Sequence, residues 1–251
     1  MSTGHQFQSN GLRTRETRPF YSVKKRPEYQ LGSRRPIAEF FRRPTRGAVK
    51  FCVNAGVHPD LVSYTSVVAA AGAGICFWQA KGFGALLIPA VIFCYLRLWL
   101  NMLDGMVALA SGKASLRGEI VNDLPDRISD VIIFVGAAHS GLCHILGGYW
   151  VAIFALVVAY VGISGPAVGV QREFSGLMSK PWRMVMLHVG AWITLGLLWW
   201  GDGRLRYGGF TILDWTFVII IAGCLETICI RLIRVLRALR APEFALNDGR
   251  S

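Results

Sequence analysis

Six apolar blocks of membrane-spanning length divide this chain, at about 60–80, 83–110, 118–140, 144–170, 182–201 and 209–238. A hydrocarbon core about 30 Å thick asks for roughly 20 apolar residues in a helix. In lipid the backbone must satisfy its own polar groups, which leaves helices or closed barrels as the spanning forms. The recurring block length therefore predicts an all-α integral membrane fold with six transmembrane helices. Composition agrees, since 53% of the 251 residues are hydrophobic, more than an ordinary soluble domain carries.

The polar segments define the remaining organisation. Residues 1–35 hold Arg13, Arg15, Arg18, Lys24, Lys25, Arg26, Arg34 and Arg35 against Glu16 and Glu28, a basic tail expected to be disordered. It reads either as attraction to anionic headgroups or as a solvated topology signal. In 36–57, Phe40, Phe41, Val49 and Phe51 are mixed with Arg42, Arg43, Arg46 and Lys50, which predicts an N-terminal amphipathic helix lying in the membrane interface. His58-Pro59-Asp60 then starts the transmembrane domain, 58–240, and 241–251 form a short tail.

Loop charge sets the orientation. Lys113 and Arg117, then Arg172, Lys180 and Arg183, then Arg231, Arg234, Arg237 and Arg240 fall on one side; Lys81, Arg204 and Arg206 fall on the other. The bias predicts both termini on the cytoplasmic side, and the first 50 residues show no secretory apolar region. The net charge of +12 is read as this topology signal, with no nucleic-acid partner expected. Six cysteines without a CxxC pair read as small core residues.

Between the second and third blocks lies an acidic stretch, 101–130, with Asp104, Glu119, Asp123, Asp126 and Asp130. Acids at a membrane edge are costly unless paired, hydrated or metal-bound, so such a cluster marks a candidate site. Arg97, Asn101, Asp104 and Ala108 share one helical face; Asn122, Asp126 and Asp130 share another. The turn between them lets the faces meet. Hard oxygen donors suit Mg²⁺ or Mn²⁺, ions commonly held by one or two carboxylates with substrate phosphates.

This stretch resembles the signature of the CDP-alcohol phosphatidyltransferases, D-x2-D-G-x2-A-R-x8-G-x3-D-x3-D. Asn101, Asp104, Gly105, Ala108, Leu109, Gly118, Asn122 and Asp126 fall in register without insertion, and five of the eight positions match. The resemblance implies six spans, a homodimer, and transfer of a substituted phosphate from a CDP-activated lipid such as CDP-diacylglycerol to an alcohol, releasing CMP. It implies divalent metals, Mg²⁺ or Mn²⁺, on the diphosphate, with Asp104 a ligand. Gly105, Ala108 and Gly118 would admit the nucleotide, and Asp126 would be the general base while contributing to the metal cage.

Asn101 and Asn122 depart from the pattern where it has aspartates, and Leu109 replaces its arginine. Asn still offers a carbonyl oxygen to metal. Asp123 and Asp130 are candidate replacement ligands, and Arg97 a candidate phosphate partner. The chain resembles a divergent bacterial branch with the Asn, the upstream Arg and the further Asp, implying an inner (plasma) membrane enzyme with a cytoplasmic active site. Arg172 and Lys180 could bind an acceptor phosphate or serve as topology signals. Glu226 is expected to pair with Arg231, Pro125 to kink its helix, and the histidines to be structural. Other readings stay open: transfer from a soluble CDP-alcohol to a lipid hydroxyl, a cation transporter, or a silent binding protein.

Overall fold

Seven α-helices make up the described part of the chain: α1 (Pro36–Asn54), α2 (Pro59–Gln79), α3 (Leu87–Ala110), α4 (Leu116–Ala138), α5 (Ile145–Ala167), α6 (Lys180–Trp199) and α7 (Ile212–Leu239). The computed structural model describes residues 36–112, 116–170, 173–201 and 206–240; within them, the side chains of 36–44 and 116–122 are not described. Each apolar block of the sequence becomes one helix with its ends moved by a few residues. Among the described residues the only β pairing is an isolated bridge between Tyr207 and Phe210. The basic tail and the C-terminal segment, 1–35 and 241–251, lie outside the described residues.

Five helices are long and apolar enough to cross a membrane: α2, α3 with its preceding 3-10 turn Gly84–Leu86, α5, α6 and α7. The sixth expected span, α4, has the length at 23 residues but is interrupted by charge from Arg117 to Asp130. It is polar at its start and apolar from Val131 onward. Pro125 lies inside it, buried.

Local chemistry explains the helix ends. The His58 ring accepts the Asp60 N–H at 3.3 Å, with Pro59 opening α2 where its missing N–H costs nothing. Gly112, at φ +66°, takes the left-handed conformation beyond the end of α3 and turns the chain toward α4. Thr211 and Asp214 form a capping box on α7, and Asp214 also accepts the His144 N–H at 2.6 Å, tying the start of α5 to α7.

The chain divides into two units, residues 1–40 and 41–251, and the candidate site lies wholly in the second. Its core is built of small and medium apolar residues, including Ala70, Ala73, Phe77, Val91, Phe134 and Phe217. Small residues let backbones approach, and packing contacts drive helix association in membranes. Gly136 of α4 sits directly against the Gly74 backbone of α2, and Gly148 of α5 against Ala138 and the Phe134 carbonyl. Large apolar side chains such as Val68, Ile75, Ile92 and Leu146 point outward, a surface suited to lipid and not to water. From Thr45 onward the apolar side of α1 rests on protein: Val49 and Cys52 pack with Val62, Leu100, Leu103 and Val107, and the Trp99 indole donates to Thr45 at 3.2 Å.

Candidate active site

Asn101 projects from the second half of α3 toward Asp126 of α4, and Arg97, one turn earlier, toward Asp130; Asp104 lies one turn beyond Asn101 on the same helix. The two faces predicted from spacing do meet. The Asn101 amide donates to one oxygen of Asp126, and the ammonium of Lys180, at the start of α6, ion-pairs with the other. The Arg97 guanidinium donates to the Asp126 carbonyl at 3.0 Å.

Asp104 is buried and accepts the Ser63 hydroxyl of α2 at 2.7 Å and its neighbouring Gly105 N–H at 2.6 Å. Ser63 carried no signal in the sequence. A serine near the start of an apolar span reads as packing, and its partner lies 41 positions away.

Asp130, expected among the metal ligands, is shared between two arginines. One oxygen accepts Arg97 at 2.7 Å and the other Arg183 at 2.8 Å. All three side chains are within 2% of full burial. Both carboxylate oxygens are thus taken by guanidinium groups, and Asp130 ties α3, α4 and α6 together. A buried carboxylate needs such pairing to remain charged. Arg97 is drawn into this knot through one nitrogen; its Nε and Nη1 are buried without a hydrogen-bond partner among the described residues. Arg183 also donates to the Met178 carbonyl at 3.1 Å.

Asp123, also expected among the metal ligands, is half-exposed and pairs with Arg127 one turn along α4 at 3.5 Å. Gly118 and Asn122 lie on α4, but their side chains are not described. Arg172 lies outside the described residues. A Cβ added to Gly105 would meet nothing within 4 Å among the described residues.

The residues fit a divalent cation on two observations. Asn101 Oδ1 is buried with no hydrogen-bond partner among the described residues, an orphaned hard acceptor one turn from a carboxylate. Asp104, one turn away on α3, and Asp126, against the Asn101 amide, add carboxylate oxygens, the donor type that Mg²⁺ and Mn²⁺ accept. Among the described residues no three His, Cys, Asp or Glu side chains are grouped to hold a metal.

Other polar residues serve structure. The Glu226 carboxylate accepts the Leu177 N–H at 3.1 Å, while Arg231, its expected partner, donates to the Ser175 and Val158 carbonyls at 2.9 Å each. These bonds fasten the α5–α6 loop onto α7. His139 stacks on Trp78 and bonds the Tyr149 hydroxyl; His188 is buried against Tyr95.

No family model matches the chain. It is similar to the phosphatidylinositol phosphate synthase of Streptomyces avermitilis, 27% identical over 166 residues covering 61% of this chain and 63% of that protein. The Mycobacterium marinum phosphatidylinositol phosphate synthase is 25% identical, covering 61% and 66%. An archaetidylinositol phosphate synthase of Methanothermobacter thermautotrophicus is 24% identical, covering 65% and 78%. The chain thus spans just under two thirds of the length of the first two relatives. In fold it resembles the crystal structure of Mycobacterium tuberculosis phosphatidylinositol phosphate synthase with CDP-DAG bound, with a TM-score of 0.63, 19% identity, and coverage of 80% of this chain and 96% of that one. The same enzyme in complex with manganese and citrate gives 0.62, again at 19% identity, covering 76% and 88%.

Proposed function

We propose that this chain is a membrane-embedded transferase that moves a phosphatidyl group from a CDP-activated lipid to an alcohol, releasing CMP, in phospholipid synthesis. The observation that carries the reading is the meeting of Asn101 and Asp126 across α3 and α4, one helical turn from Asp104, with the Asn101 oxygen buried and without a hydrogen-bond partner among the described residues. The relatives and the fold likeness support the same class. Two relatives are named for phosphatidylinositol phosphate, so inositol phosphate is the first acceptor to try. Six spans with α4 as the third, α1 at the interface, cytoplasmic termini and active site, a bacterial inner membrane and a homodimer complete the proposal.

Asp104 and the Asn101 carboxamide oxygen would hold the cation, Mg²⁺ or Mn²⁺, at the diphosphate. When bound, the cation supplies stabilisation of charge on the transferring and leaving groups. Gly105, Ala108 and Gly118 give the nucleotide room against the backbone. The acceptor oxygen attacks the lipid-side phosphorus, its proton passes to Asp126, and the phosphorus–oxygen bond to CMP breaks. A carboxylate in a water-poor site suits that proton transfer once the Asn101 amide releases its oxygen. Ser63 fixes the Asp104 rotamer. Asp130 holds Arg97 and Arg183 in place at the floor of the site.

The test is metal-dependent CMP release by the purified chain from CDP-diacylglycerol with a panel of alcohols that includes inositol phosphate. Release that requires an alcohol and disappears in Asp126→Asn is the expected result. Undiminished release in that variant would remove Asp126 from its role, and none with any acceptor would overturn the transferase reading.

A further inference from the structure

Three carboxylates of the site, Asp104, Asp126 and Asp130, stand among three cations of the same chain, Arg97, Lys180 and Arg183. The arginines use both oxygens of Asp130. Lys180 occupies one oxygen of Asp126 and the Asn101 amide the other. Lys180 also sits in the opening turn of α6. There a cation meets the positive end of the helix dipole, an unfavourable position without a compensating anion. Asp126 is that anion, and the helix start carries the ammonium into the cage as a fixed charge. Meanwhile Asn101 and Asn122 stand where the resembling signature has aspartates. Two carboxylates replaced by carboxamides remove two negative charges, the charge of one divalent ion.

We propose that the cage takes one divalent cation, held by Asp104 and the Asn101 carboxamide oxygen, and that the Lys180 ammonium on Asp126 takes the charge-compensating place of a second. The inference rests on the transferase reading and deepens it. Metal demand is set by the chain's own lysine: the site gives up a cation taken from solution for one that folds into position with α6. Lys180 is then a resident of the metal cage and not a clamp for the acceptor phosphate.

The experiment counts bound Mn²⁺ on the purified full chain at saturating CDP, reading free Mn²⁺ and the bound spectrum by electron paramagnetic resonance. The wild type is expected to bind one equivalent per chain, with a six-line spectrum free of Mn–Mn coupling. The double variant Asn101→Asp, Lys180→Met is expected to bind two, with a coupled spectrum. Two coupled equivalents on the wild type, or one on the folded double variant, would overturn the inference while leaving the transferase reading intact. The wild-type count decides on its own if the variant fails to fold. No bound Mn²⁺ at saturating CDP would remove both the inference and the metal-dependent reading.

Discussion

Where α2 crosses α4, a Cβ on Gly136 would lie 2.3 Å from the Gly74 carbonyl oxygen; on α3, a Cβ on Gly105 would meet nothing within 4 Å among the described residues. The same residue type closes one half of the bundle and opens the other. In the closed half, Gly74, Gly136 and Gly148 bring backbones into contact beside Phe77, Phe134 and Ala137, and the helices are held by packing. In the open half, the helices are held by charge: Asp130 with Arg97 and Arg183, and Asp126 with Lys180. The division places rigidity beneath the site and space within it. A transferase needs both, because its carboxylates must stay fixed while a diphosphate enters between them.

Changing Asp126→Asn removes the proposed proton acceptor and keeps the shape. CMP release should fall by about 10²–10⁴-fold, the usual contribution of a general base, with the folded fraction unchanged by circular dichroism. Asp130→Ala attacks the charged knot itself. It leaves two buried guanidiniums without their carboxylate, and breaking such a pair costs about 3–5 kcal/mol. Thermal unfolding in detergent should show that loss, and a variant as stable as the wild type would show the knot to be dispensable.

The glycine contrast gives a paired prediction. Gly136→Ala must push α2 and α4 apart, an overpacking cost of about 1–3 kcal/mol, and lower the unfolding temperature. Gly105→Ala should leave stability unchanged or raise it by up to about 1 kcal/mol through helix propensity, while raising the KM for CDP-diacylglycerol. If the two variants behaved alike in both assays, the division into a closed and an open half would be wrong. The smallest effect is expected of Ser63→Ala. Loss of one hydrogen bond to Asp104, about 1 kcal/mol, should raise the Mn²⁺ concentration for half-maximal rate about fivefold, with kcat at saturating metal changed less.

The helices were legible because a bilayer imposes a length, and apolar blocks of that length leave little choice of element. The meeting of Arg97 and Asn101 with Asp130 and Asp126 was legible from helical spacing and a short turn between two helices. The charge partners were not. Lys180 and Arg183 read as positive loop residues, since a basic residue at a span's end looks the same whether it faces water or a carboxylate. Asp130 lies 53 positions from Arg183, and only the packing of α6 against the rest of the bundle joins them. Sequence spacing placed Asp130 on the site face; it could not show that both of its oxygens were taken. The expectation of a sixth span rested on the apolar half of α4, and the polar start of that helix sets it apart from the five that are long and apolar enough to cross a membrane.

In the proposed reaction the phosphorus on the lipid side of the CDP-activated donor is the one transferred. CDP-diacylglycerol labelled with ³²P at that phosphorus, given to the purified chain with Mn²⁺ and inositol phosphate or another accepted alcohol, should pass all of its label into a new lipid and leave CMP unlabelled. Label recovered in CMP, or in phosphatidic acid at the same rate with and without an alcohol, would contradict the account.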